Sequence, residues 1–328
     1  MKNTIKTVGA LFALALIAQP AVAQTAAQQK PAAYPSKPVR IIVGNAAGGG
    51  VDVIGRLLSA KLVERWNSPV IVENIAGGNG MIALDRAVQA TPDGHTFIAG
   101  GASIEMHAVY KRFDVMKGLV PVVQMTTQPY LLVVTSSLPA ANVKEFAALA
   151  KARSGQLNFA TAGIGSSGHL GTEMFNEALG VKTTHIPYKG SGAAQADLIN
   201  GRVHFMFIST LSGMPLVRKG SVRAIAVSGL KRSASMPDLP AVAETVPEFE
   251  MNNGYGLFTS IKAPQTSIVA ANRDVAQIMQ MPDMQEKLAA SAAEAPAPQT
   301  PAEYRAAVQK RITAWTKFVE DNNIKPDD

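Results

Sequence analysis

The 328-residue chain carries 31 Lys and Arg against 24 Asp and Glu, a formal charge of +7, and contains no cysteine. Without cysteine there is no disulfide framework, no thiolate chemistry and no lipid-accepting residue behind a leader. The cations are scattered, with neither a long basic run nor a nucleic-acid motif, so no nucleic-acid partner is expected.

Lys2 and Lys6 precede an uncharged apolar run over 8–18, then Gln19, Pro20 and Ala21-Val22-Ala23 ahead of Gln24. That order is a secretory leader with a small-residue cleavage site. The run is shorter than the ~20 residues of a membrane-spanning helix. The sequence therefore predicts a signal peptide over 1–23, cut after Ala23, and a periplasmic protein with no membrane insertion. Loss of Lys2 and Lys6 lowers the charge to about +5; the remaining surplus suits an anionic ligand. An Ala, Gln and Pro-rich stretch over 24–37 reads as a flexible leader. Roughly 300 residues remain, enough for two domains with separate cores.

A β-branched strand over 39–43 runs into a glycine-rich segment over 44–50, after which Ile54, Leu57, Leu58 and Leu62 share a helical face. A strand over 70–72, a second glycine-rich loop over 76–80 and a helix over 81–89 follow. The Thr91-Pro92-Asp93-Gly94 turn leads into a strand over 95–99. Beyond Pro121 the alternation continues, with strands over 131–134, 157–161, 183–186, 203–207 and 222–227. Helices span 142–153 and 169–179 and fill the other intervals. A strand over 255–260 precedes helices only. In the last of these Tyr304, Val308, Ile312, Trp315 and Phe318 make a packing stripe. This alternation predicts α/β architecture in two lobes, each a mostly parallel sheet flanked by helices. The chain is expected to cross near Met125 and again near Pro247. Lobe 1 would hold 38–125 and 248–328, and lobe 2 would hold 126–247.

Three loops follow strands and open helices: Gly44 to Gly50 with Asp52, Gly163 to His169, and Tyr188 to Gly192. Ligands of open α/β sheets sit beyond the carboxyl ends of strands. Unpaired N–H groups at a helix start attract anions. Glycine lets a ligand approach the backbone, although it also serves tight turns. Gly163-x-Gly165-x-x-Gly168 matches the dinucleotide fingerprint, but no Asp or Glu lies over 180–192 to hold a ribose, so no cofactor is expected. His95, His107, His169, His185 and His204 lack metal-ligand spacing. Asp52 and Asp197 fit structural bonds better than general-base roles. A Ser166 or Ser167 nucleophile with His169 is the enzymatic alternative, and helix capping or ligand contact suits His169 better. No catalytic residue is assigned.

The segment Tyr34-Pro35-Ser36-Lys37-Pro38-Val39-Arg40-Ile41-Ile42-Val43, with Gly48-Gly49-Gly50-x-Asp52, resembles the mature start of Bug-type substrate-binding proteins, the receptors of tripartite tricarboxylate transporters. The resemblance continues through Pro69-Val70-Ile71-Val72-Glu73-Asn74, Pro92-Asp93-Gly94, Gly165-Ser166-Ser167-Gly168-His169-Leu170 and Pro187-Tyr188-Lys189-Gly190. It extends to Ala224-Ile225-Ala226-Val227 with Lys231-Arg232, and to Trp315. It implies a two-lobed periplasmic binding protein, or Venus flytrap, acting as a monomer. The lobes would close on a di- or tricarboxylate for one large and one small membrane subunit; docking onto a membrane sensor is the alternative. The ligand-binding positions it implies are Asn45, Ala46, Gly48, Gly49, Asp52, Ser103, Gly163, Gly165, Ser166, Ser167, His169 and Tyr188, with Ser209 on the late strand. Three departures stand out. Asn45 replaces a customary aromatic, Ile208-Ser209 replaces an aspartate after Met-Phe, and Asn253-Gly254-Tyr255 stands where a tryptophan is common. The missing acid argues against an amino-acid ligand, and the smaller residues suggest a roomier pocket for an aromatic or longer dicarboxylate.

Overall fold

The computed structural model describes residues 34–233 and 235–321. The expected signal peptide with its cleavage point, and most of the leader, lie outside them.

The strands are β1 (Val39–Val43), β2 (Val70–Asn74), β3 (Thr96–Gly101), β4 (Leu119–Thr135), β5 (Asn158–Thr161), β6 (Thr184–Pro187), β7 (Phe205–Ser209), β8 (Val222–Val227) and β9 (Asn252–Ser260). The helices are α1 (Gly50–Trp66), α2 (Met81–Gln89), α3 (Ala102–Val109), α4 (Val115–Gly118), α5 (Val143–Ala152), α6 (Ser167–Leu179), α7 (Ser191–Ile199), α8 (Thr210–Arg218), α9 (Gln265–Met279), α10 (Pro282–Ala289) and α11 (Pro301–Asp321). Strand order is β2-β1-β3-β9-β4-β7-β5-β6, with β8 also paired to β4.

β4 runs through both halves of this arrangement. From Leu119 to Pro129 it pairs with β9, and from about Tyr130 to Thr135 with β7 and β8. β9 returns to the first half at Asn252. The protein is thus an α/β, two-lobed periplasmic-binding-protein fold. Each sheet is more mixed than the expected, mostly parallel one. Helix-connected strands β1, β2 and β3, and β5, β6 and β7, pair in parallel, whereas β4 and β9 enter antiparallel because they arrive from the other lobe.

Helices cover both faces of each sheet, which explains the unbroken apolar strands. On β1, Val39, Ile41 and Val43 pack with α1 and α9, while Ile42 joins the opposite core with α2, α3 and α11. On the second sheet Leu132, Val134, Phe205 and Phe207 point one way, and Leu131, Val133, Met206 and Ile208 the other. The α11 stripe packs as expected, with Tyr304, Val308 and Ile312 buried and Trp315 and Phe318 at its edge. Arg311 of α11 grips Glu105 of α3 at 2.7–3.0 Å, with the carboxylate 1% exposed. No helix among the described residues is long and apolar enough to cross a membrane.

Candidate functional site

Five helices begin around one internal cavity of about 60 Å³. α1 contributes Gly50 and Val51, its first two residues, and α3 contributes Ala102 and Ser103 in the same way. α6 supplies its cap Ser166 and then Ser167 and Gly168; α7 supplies its first residue, Ser191; α8 supplies its cap, Ser209. Asn45, Ala162 and Phe207 fill the gaps, and Tyr130, Asn253 and Tyr255 come from β4 and β9. No Lys, Arg, Asp or Glu lines the space. A 440 Å³ groove beside Lys37, Arg40, Arg86 and His95 lies at the opposite ends of β1 and β3. It is open, it contains Asp93, and it adjoins the carboxyl end of α2, whose dipole repels anions.

The polar lining is organised in pairs. Tyr130 Oη lies 2.7 Å from Ser167 Oγ, both buried. Tyr255 bonds with Ser209 and Asn253, and Ser209 Oγ accepts from Gln128 Nε2 at 3.4 Å. Burial raises the pKa of both tyrosines, so each remains a protonated hydroxyl. Ser166 Oγ caps α6 by accepting the His169 N–H at 3.3 Å.

Loops from the two halves are hydrogen-bonded to each other beside this cavity. Ala46 N donates to Lys189 O at 3.1 Å, Gln195 Nε2 to Gly48 O at 3.0 Å, and Asn79 Nδ2 to Ile164 O at 3.1 Å. Backbone approach is close enough to require glycine. A Cβ on Gly192 would collide with Ala47 O, and one on Gly50 would stand 2.5 Å from both Ser209 Oγ and Tyr255 Oη. Gly48 adopts a φ of +82° at the turn into α1.

Of the thirteen expected positions, Asn45, Ser103, Ser166, Ser167 and Ser209 line the cavity. Ala46, Gly48, Gly49, Gly163 and Gly165 belong instead to the contacts between the halves: Gly49 faces Ser191, Gly163 faces Asn79, and Gly165 faces the Tyr110 ring. Asp52, 3% exposed, accepts from Gly48 N and Asn74 Nδ2 and pairs with Arg56. Burial opposes its ionisation, yet hydrogen bonds from Arg56, Gly48 and Asn74 hold its pKa below the usual carboxylate range. Tyr188 Oη donates to Asp197, itself bonded to Arg202. His169 Nδ1 accepts from Gly165 N, and its ring stacks on His185 at 4.0 Å. Burial and the His169 ring push the His185 pKa down to about 4.

Sequence reasoning missed Tyr130, Phe207 and Tyr255 as lining residues. These three rings help to line the cavity of about 60 Å³. Period-2 alternation on β4 carried no sign that Tyr130 ends where the partner strand changes. Ser191, in the loop from Tyr188 to Gly192, lines the cavity where Tyr188 does not.

The family described as tripartite tricarboxylate transporter family receptor matches residues 54–324. Protein BugT of Bordetella pertussis (strain Tohama I) is 32% identical over 338 residues, 99% of either chain. Among solved structures, R. palustris Rpa4515 with adipate superposes with a TM-score of 0.85 at 31% identity, covering 89% of this chain and 99% of that one. MatC from Rhodopseudomonas palustris with bound malate gives 0.82 at 29% identity, covering 87% and 100%. The chain belongs to the tripartite tricarboxylate transporter receptor family of Bug-type solute-binding proteins.

Proposed function

We propose that this protein is a periplasmic receptor whose two lobes close over a small di- or tricarboxylate and deliver it to the large and small membrane subunits of a transporter. Lobe 1 comprises 38–125 and 248–328, and lobe 2 comprises 126–247. The receptor works as a monomer and performs no reaction on its guest. The observation that carries this reading is the convergence of five helix starts on one cavity without a charged side chain. Each start turns N–H groups and a positive dipole end inward, an arrangement that favours a negative guest. Hydrogen bonds to a charged group contribute about 1.5–3 kcal/mol each. Micromolar binding amounts to about 8 kcal/mol, so a few such donors suffice without a buried arginine.

The lining residues Asn45, Ser103, Ser166, Ser167 and Ser209 are the direct contacts in this reading. Ala46, Gly48, Gly49, Gly163, Gly165 and Tyr188 shape the loops that close over the guest, with Asp52 and His169 holding their helix starts. With no carboxylate in the lining, an ammonium group would find no partner, which argues against amino acids. Adipate and malate in two relatives support the carboxylate class. The Nδ1 of His169 is engaged by Gly165 N–H, which argues against that ring nitrogen activating Ser166 or Ser167 as a nucleophile.

A calorimetric screen of small carboxylic acids on the chain from Gln24 onward tests the proposal. At least one acid should bind in the micromolar range or tighter, and Asn45→Glu should abolish that binding through like-charge repulsion with the fold intact. Undiminished affinity in the variant would refute the site.

A further inference from the structure

The second glycine-rich loop, over 76–80, lines no part of the cavity, yet it reaches the other half of the molecule. Asn79 sits in the left-handed region at a φ of +52°, and its carbonyl accepts from Nε2 of buried His107 on α3 at 3.1 Å. Its side chain meets the loop from Gly163 to Gly165, where Nδ2 donates to Ile164 O at 3.1 Å. The other end of the amide, Oδ1, is buried against Gly163 and has no hydrogen-bond partner among the described residues. Tyr110, at the end of α3, lies under the same loop, its ring 2.9 Å from where a Cβ on Gly165 would stand. Its hydroxyl is likewise buried with no partner among the described residues, and burial pushes its pKa up to about 12. Beyond the loop, Leu170 of α6 is fully buried in one apolar cluster with Ile104 and Val109 of α3, and Tyr110 packs against that cluster.

This contact works in both directions. Burial of Leu170 favours closing of the halves. A buried polar atom left without a partner disfavours the state that buries it, by about fivefold or more. When the halves part, Gly163 and Gly165 leave with the second half and water reaches both atoms, so these penalties belong to the closed arrangement alone. We infer that Tyr110, with Asn79 beside it, sets the affinity of the receptor from outside the cavity, because its unmet hydroxyl holds the guest-free chain away from the closed arrangement. The inference rests on the receptor reading above, in which the halves part to admit a guest. Apparent affinity is the intrinsic affinity scaled by the closed fraction. A residue that lowers this fraction without touching the guest weakens every guest by one factor and leaves their order unchanged. Closure then depends on the bonds that the guest itself makes.

Tyr110→Phe deletes the hydroxyl and keeps the ring against Gly165. Calorimetry on the chain from Gln24 onward, with succinate, malate and adipate as probes, compares the variant with the wild type. Every acid that binds the wild type should bind the variant at least about fivefold more tightly, by a common factor. Small-angle scattering of the wild-type chain should give a larger radius of gyration without a bound acid than with it. Unchanged or weaker binding, a gain that differs between acids, or a guest-free chain as compact as the loaded one would overturn the inference and leave the receptor reading standing. Failure of every acid to bind the wild-type chain would overturn both.

Discussion

The two principal helix starts solve the same problem in different ways. α1 opens on Gly49 and Gly50, and no side chain caps it. Its nearest acid, Asp52, is turned back onto Gly48, Asn74 and Arg56. α6 opens behind Ser166, whose hydroxyl already accepts a first-turn N–H and remains free to donate. At these two starts α1 therefore offers bare backbone, and α6 offers hydroxyls mounted on a capped helix. The lesson is that an added atom should damage one side and a deleted atom the other.

The largest expected effect lies at Gly50. A methyl group there meets Ser209 Oγ and Tyr255 Oη when the halves are together. Gly50→Ala should weaken carboxylate binding by about a hundredfold or more. The overlap exists in the structure without a ligand, so the ligand-free melting temperature should fall as well. A variant that binds normally would show that α1 does not approach the guest closely. Ser166→Ala makes the opposite test. It deletes a cap worth about 1 kcal/mol, so both stability and affinity should fall, with binding reduced by about tenfold. Loss of stability without loss of affinity would reduce Ser166 to a structural role.

The smallest effect is a dependence of stability on pH. His185 in the second lobe has a folded pKa of about 4, depressed by burial and the neighbouring His169 ring, against about 6.5 in an unfolded chain. The unfolded chain binds the proton first, so stability contributed by neutral His185 is full above about pH 6.5 and is lost as pH falls toward 4. Asp52 in the first lobe, held below the usual carboxylate range, contributes stability that is present above about pH 4 and is lost as pH falls through its folded pKa. Denaturant titrations across pH 7 to 4 should show a decline that His185→Gln makes shallower, with His107 and His204, whose pKa values burial also lowers, supplying the rest. Asp52→Asn should leave that window alone and alter only the limb below it.

Much of the frame was legible in the chain. The β-branched run at 39–43 and the α11 stripe each follow from local periodicity, and each packs as that periodicity requires. The helix-start loops were legible because glycine and serine are concentrated there. The lining from β4 and β9 was not. Tyr130 and Tyr255 sit on strands whose apolar neighbours are core, and what turns their hydroxyls into the cavity is pairing between segments far apart in sequence. Tyr188 shows the converse: its place beside a glycine loop suggested a contact, but Asp197, nine residues on, takes its hydroxyl.

The account depends most on negative charge in the guest being met by neutral donors. Calorimetry of a bound dicarboxylate against its diamide, equal in length and uncharged, measures this directly on the wild-type chain. Micromolar or tighter binding of the acid with at least about a hundredfold loss for the diamide is the expected result. Equal affinity for the two would contradict it.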